Sequence, residues 1–245
     1  MARPDLLVAL SFLGKRVAKA TEQDQKKLER ILSYLKRTRD LKLTLGVDNL
    51  HVVKWWADSA FAVHSDLRSH SGLLGTLGRG AIFSKSSTKK LNTISSTEAE
   101  VVASSEIFSQ ALWTASFLKH QGYEAVNTLL HQDNKATILL QENGVLSRRK
   151  RTRHINIRFF FIKDRIDKGE VEIAFCGTKD MIADFLTKPL QGKAFREFRN
   201  QVMGLPVGST MGGATAPSDN LQVDEGRHRN RATYADAVRS SCIRQ

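Results

Sequence analysis

Ser95-Ser96-Thr97-Glu98-Ala99-Glu100 opens a run that carries apolar residues at recurring positions as far as Leu118. Hydroxyl residues, then acids, then periodic apolar side chains are the start signal of an amphipathic helix. At about 100° per residue, Glu100, Ile107, Ala111 and Leu118 fall on one line, flanked by Phe108 and Ala115. Glu98 lies about 160° round the helix, towards solvent. A carboxylate on the core-facing line is costly unless something neutralises it. For Glu98 the expected role is a capping box with Ser95. For Glu100 two readings stay open, a capping box with Thr97 or a charged site.

Outward from this helix the pattern alternates between strand and helix. Residues 52–58 read as a buried strand, and a polar turn follows at 65–71. Residues 72–77 and 80–84 read as the arms of a hairpin around Gly78-Arg79. Residues 128–133 form another short strand, which feeds a helix over 135–142 that Asn143-Gly144 stops. A basic run over 148–154 precedes an aromatic helix with Phe159, Phe160 and Phe161. Residues 171–175 give a last strand, and a final helix holds Met181 to Leu186, closed by Pro189. Upstream lie two helices, one apolar within 1–19 and one opened by Thr21 with Leu28, Ile31, Leu32 and Leu35 as its stripe. They carry too little apolar surface to fold alone. The whole order predicts an α/β fold in which a meander feeds parallel strands.

The 245 residues allow one good core plus extras. Apolar residues make up 41% and charged residues 26%, the balance of a globular protein. No apolar run reaches the roughly 18 residues of a membrane span, and the N-terminus does not read as a secretion signal. Cys176 and Cys242 have no ligand spacing, which argues against zinc and for a reducing compartment. A formal charge of +13 favours polyanionic partners, nucleic acid before an anionic membrane.

Four acids then share one address. Asp58 lies on the first strand, Glu100 faces the sheet from its helix, Asp133 ends the fourth strand and Asp184 sits among apolar neighbours. Singly, a turn former, a helix cap or a surface acid would explain each. Together they cannot all ionise in a poor dielectric without cations, and hard divalent cations such as Mg²⁺ prefer oxygen ligands. A pair of such ions suits in-line phosphoryl displacement.

The segments Ala57-Asp58-Ser59-Ala60, Ser95 to Glu100, Gln132-Asp133-Asn134-Lys135, Arg151-Thr152-Arg153-His154-Ile155 and Ala183-Asp184-Phe185-Leu186-Thr187-Lys188-Pro189-Leu190 resemble, in this order, the ribonuclease H domain of copia-type retrotransposon Pol polyproteins. Arg3-Pro4-Asp5 and the helix through Leu28–Leu35 resemble the C-terminal end of that family's reverse transcriptase. The resemblance covers about residues 1 to 203. It implies a reverse-transcriptase remnant over 1–49, a ribonuclease H-like domain over 50–203 and a tail over 204–245 that its composition marks as disordered. It implies a five-stranded mixed sheet of order 3-2-1-4-5 and hydrolysis of the RNA strand of RNA–DNA hybrids with two Mg²⁺ ions, Mn²⁺ substituting. Asp58 would bridge both ions, and Glu100 would bind one beside the substrate ribose. Asp133 would bind the ion that activates water, and Asp184 would complete the other shell. Partners would be the hybrid and the upstream polymerase region, without a membrane. The setting would be cytoplasmic virus-like particles or the nucleus, not secretion. Lys150, Arg151 and Arg153 would grip phosphates. His154 would do the same or simply pack.

There are departures from the family pattern. Val101 stands where a large apolar residue or Tyr is usual, and Ser59-Ala60-Phe61 where Trp often stands. The loop Gly177-Thr178-Lys179-Asp180 lacks the histidine of cellular ribonucleases H. Two rival readings follow, a non-catalytic hybrid-binding module and another two-metal nuclease of the same fold. Retention of all four acids argues against the first, and the copia-like segments argue against the second.

Overall fold

The computed structural model describes residues 2–91, 93–123, 127–143 and 153–206, with the side chains of 153–156 excepted. Its strands are β1 (Gly46–Val47), β2 (Val52–Ala60), β3 (His70–Thr76), β4 (Gly78–Arg79), β5 (Phe83–Thr88), β6 (Asn127–Gln132) and β7 (Glu172–Phe175). Its helices are α1 (Leu7–Gly14), α2 (Glu22–Arg37), α3 (Ser96–His120), α4 (Lys135–Asn143), α5 (Arg153–Asp167) and α6 (Gly192–Met203). A 3₁₀ turn spans Ile182–Leu186.

The main sheet runs β5-β3-β2-β6-β7. Counted along the chain this is the order 3-2-1-4-5 that the resemblance implies. β3 runs antiparallel to both of its neighbours, β2 and β5, whereas β6 pairs parallel with β2 and β7 parallel with β6. The fold is thus an α/β, ribonuclease H-like mixed sheet.

β2 is buried along most of its length, so successive residues serve two cores. Val53, Trp55 and Ala57 join Leu73 and Leu130 under α3 and α5. Trp56 and Leu74 face the other way, onto Met181, Ala183, Phe185, Leu186, Val202 and Leu7. α1 therefore lies in the second core. A third cluster joins α1 to α2 through Phe12 and Ile31. α2 opens on the capping box that Thr21 and Asp24 form.

Three local expectations need correction. The hairpin arms do not meet at Gly78-Arg79. These two residues leave the main sheet as β4 and pair with β1, while β3 starts earlier, at His70. Leu77, Gly80, Ala81 and Ile82 lie outside both main arms. Met181 to Leu186 is not a helix of α type but a buried 3₁₀ turn. The last helix is α6, whose Phe195, Phe198, Val202 and Met203 pack inward and whose end is set by Gly204 at φ 67°.

Candidate active site

α3 shows why two acids, two residues apart, differ. Ser95 caps the helix by accepting the N–H of Glu98. The Glu98 carboxylate accepts the N–H of Ile94, one residue before the cap, and stays partly exposed. Glu100 is 5% exposed, on the buried line with Ile107, Ala111 and Leu118. Its Oε1 accepts the backbone N–H of Ser59 at 3.1 Å, and its Oε2 accepts Gln132 Nε2 at 3.4 Å. The capping alternative for Glu100 is therefore set aside.

Asp58 lies on β2 opposite Gly72 of β3. A Cβ at Gly72 would lie 2.7 Å from the Ala183 carbonyl oxygen and from Thr187 Cγ2. Only glycine lets the 3₁₀ turn approach the sheet this closely. That approach buries Asp184 to 5% exposure and lets the Thr187 hydroxyl donate to Asp58 Oδ2. Asp133 follows the last residue of β6. It is not the cap of α4, because Asn134 Oδ1 accepts the N–H of Thr137. The three aspartates converge: Asp58, Asp133 and Asp184 each offer a carboxylate oxygen, all within 4.8 Å of one another.

Electrostatics registers this crowding. Burial, then the charge of Asp58, pushes the Glu100 carboxyl well above the ordinary carboxylate range. The same two causes raise Asp184 to about 7 and raise Asp133. Lys188 answers part of the negative charge, with Nζ 2.6 Å from Asp184 Oδ1. Burial opposes its charge, but the charges of Asp58 and Asp184 prevail and raise its pKa. Lys89 is almost fully buried nearby and donates to the Ala99 carbonyl. Burial lowers its pKa to about 8 against the pull of Glu106 and Glu100. A compact set of hard oxygen donors whose joint ionisation is resisted fits a divalent cation such as Mg²⁺.

The side chains of the expected phosphate grip fall outside what is described. Lys150 and Arg151 lie outside the described residues, and Arg153 and His154 are described only as backbone at the start of α5. The tail read over 204–245 lies, beyond Pro206, outside them too. No helix among the described residues is long and apolar enough to cross a membrane. Thr187, Lys188, Lys89 and Gln132 stand at the site without having been assigned roles from sequence. Thr187 and Gln132 meet partners far along the chain, Asp58 and Glu100, so no local spacing marks them, whereas Lys188 lies four residues from Asp184, a spacing the sequence does show.

No family model matches the chain. The Pol polyprotein from transposon RE2 of Arabidopsis thaliana, described as retrovirus-related, is 30% identical over 213 residues, 86% of this chain and 14% of that protein. That of transposon TNT 1-94 of Nicotiana tabacum is 28% identical over 204 residues, 83% of this chain and 15% of its own length. The chain thus spans about one seventh of the curated relatives it matches. Among solved structures, LC11-RNase H1 in complex with RNA/DNA hybrid aligns with a TM-score of 0.38 and 14% identity, over 55% of this chain and 92% of that one. RNase H1 from Halobacterium salinarum aligns with a TM-score of 0.34 and 12% identity, over 52% and 86%.

Proposed function

Because this chain is a homologue of the retrovirus-related Pol polyproteins of copia-type plant transposons, we propose that it hydrolyses the RNA strand of RNA–DNA hybrids during reverse transcription. The observation that carries the proposal is the convergence of Asp58, Asp133 and Asp184 from β2, the end of β6 and the 3₁₀ turn, with Glu100 anchored on the neighbouring Ser59. Residues 1–49 would be the end of a reverse transcriptase, residues 50–203 the hydrolase, and the rest of the polymerase its partner.

Asp58, Glu100, Asp133 and Asp184 would hold two Mg²⁺ ions, with Mn²⁺ as a substitute. When bound, such ions supply charge neutralisation at the scissile phosphate and a water of lowered pKa. The chain supplies the rest. The Thr187 hydroxyl fixes one oxygen of Asp58. The Ser59 N–H and Gln132 fix Glu100. Lys188 sets the side chain of Asp184 and brings positive charge to the edge that an anionic substrate must approach. Lys150, Arg151, Arg153 and His154 would hold the nucleic-acid backbone, which positions the substrate without reading its sequence. The 2′-OH groups and the shape of the hybrid would distinguish it from duplex DNA.

The test incubates purified chain with labelled hybrid, single-stranded RNA and duplex DNA, with Mg²⁺ and with chelator. Cleavage confined to the RNA strand of the hybrid, dependent on Mg²⁺ and abolished by Asp133→Asn with binding retained, is the expected result. Equal cleavage by wild type and Asp133→Asn refutes the proposal.

A further inference from the structure

Side chains alternate across a strand, so neighbours at the end of β6 leave on opposite faces. His131 stacks on Trp56, on the face where Asp184 lies. Leu130 faces α3, and Gln132 follows it there. Gln132 is fully buried, and both ends of its amide are engaged. Oε1 accepts the backbone N–H of Asp133 at 2.9 Å and that of Asn134 at 3.4 Å. Nε2 donates to Glu100 Oε2 at 3.4 Å and to Ser104 Oγ at 3.5 Å. The opposite amide orientation would set NH₂ against two N–H donors and a carbonyl against a carboxylate, so the neighbours fix the assignment.

We propose that Gln132 is a positioning residue that couples Glu100 to Asp133, so that the acid on α3 and the acid after β6 are set as one unit. The proposal rests on reading the four acids as a metal-binding hydrolytic centre. Its physical content is a shared anchor. Glu100 approaches from α3, whereas the three aspartates gather across the sheet. Its carboxylate needs a donor from each of the strands that lead to them. β2 provides the Ser59 N–H, adjacent to Asp58, and β6 provides Gln132, adjacent to Asp133. The same amide group holds the backbone of Asp133 through its oxygen. Without the amide, one oxygen of a buried carboxylate loses its donor and the Asp133 N–H loses its acceptor. Both acids then gain freedom together.

The experiment uses the full chain and three variants, with Mn²⁺ alone as the binding probe, thermal unfolding without metal, and Mg²⁺-dependent cleavage of a labelled hybrid. Gln132→Met keeps side-chain volume but removes the amide. It should raise the Mn²⁺ dissociation constant, and the Mg²⁺ concentration for half-maximal cleavage, by about tenfold or more. Its kcat at saturating Mg²⁺ should fall less. Gln132→Glu keeps the acceptor for Asp133 but sets a carboxylate against Glu100, and its unfolding midpoint should drop. Adding Glu100→Gln removes the opposing charge and restores a donor opposite that acceptor, and should recover the midpoint. A Gln132→Met chain with the wild-type Mn²⁺ dissociation constant overturns the proposal. So does a double variant no more stable than Gln132→Glu alone. A wild-type chain that binds Mn²⁺ yet leaves the hybrid intact refutes the hydrolase reading instead, and the Mn²⁺ and midpoint readouts still decide the coupling.

Discussion

Glu98 and Glu100 carry the same functional group two positions apart, and only burial and partners separate them. Glu98→Gln keeps an oxygen that can accept the Ile94 N–H, so hybrid cleavage should stay within a few-fold of wild type. Glu100→Gln removes a charge from the centre and should reduce cleavage by two orders of magnitude or more at fixed Mg²⁺. Steady-state rates decide, and the reverse ranking would undo the assignment. The wheel could foresee this contrast because a helical line needs only the local sequence. It could not foresee Thr187 on Asp58, since that contact exists only once the 3₁₀ turn has met the sheet. A second prediction concerns two histidines away from the acids. His64 and His70 share a hydrogen bond of 3.0 Å beneath the Phe12 ring, and His70 bonds Ser86, which donates to the Leu186 carbonyl. Burial holds His64 at about 4 and His70 at about 3, against 6.5 for free imidazole. The folded state thus resists a proton that the unfolded chain accepts. The pair contributes stability that is complete above about pH 6.5 and lost as pH falls towards 4. Asp184, raised to about 7, acts in the opposite sense over this window, so the comparison must be between variants. In urea titrations, His64→Asn/His70→Gln should lose less stability than wild type between pH 6.5 and 4.5. Parallel curves would show that the pair does not titrate with unfolding.

At the level of elements, apolar periodicity marks a segment where one period runs long enough and loses it where the backbone leaves that period. α3 and β2 were legible from repeating apolar positions. β4 was not, because Gly78-Arg79 looks like a hairpin turn until β1, over 30 residues earlier, claims it. The turn Ile182–Leu186 is apolar enough to pass for a helix, but its burial against β2 and β3 comes from packing, not periodicity. α6 did carry a stripe, Phe195, Phe198 and Val202, and Pro189 misleadingly suggested that regular structure had ended. The contact of this turn with β3 depends on Gly72. Alanine there would place Cβ 2.7 Å from the Ala183 oxygen and Thr187 Cγ2, and 2.9 Å from Leu186 Cβ. Two of these three atoms belong to the turn itself and the third to Thr187, which ends it, so the turn cannot yield without moving Asp184. Gly72→Ala should cost about 1–3 kcal/mol in chemical denaturation, typical of overpacking, and should weaken Mg²⁺-dependent cleavage beyond that loss. Adding Thr187→Ser removes one clashing methyl while keeping the hydroxyl for Asp58, and should recover part of the stability. An unperturbed Gly72→Ala chain would mean that the turn has room to move.

For the molecule as a whole, the proposed boundary at 49/50 divides the chain by ancestry, whereas its packing does not stop there. Leu7 sits in one cluster with Trp56, Leu74, Ala183, Phe185 and Leu186, the residues that support the turn bearing Asp184. Phe12 covers His64 and His70, whose bonds through Ser86 reach Leu186. Arg3 and Tyr34 both bond the buried Asp5, which joins the short turn Pro4–Leu6 to α2. The N-terminal helices thus act as a buttress on the face of the sheet opposite α3. Their own apolar surface is too small for independent folding, and the face they cover would otherwise meet water. Two consequences are measurable. Leu7→Ala should destabilise the chain by about 2–4 kcal/mol, the usual cost of a cavity left by a buried leucine, and unfolding should remain a single transition by fluorescence and circular dichroism. A chain starting at residue 50 should unfold at a lower urea concentration and lose Mg²⁺-dependent cleavage, because the 3₁₀ turn then lacks its support while all four acids are still present. If that shortened chain matched the full one in both midpoint and cleavage, the buttress would be incidental, and residues 50–203 would be an autonomous unit.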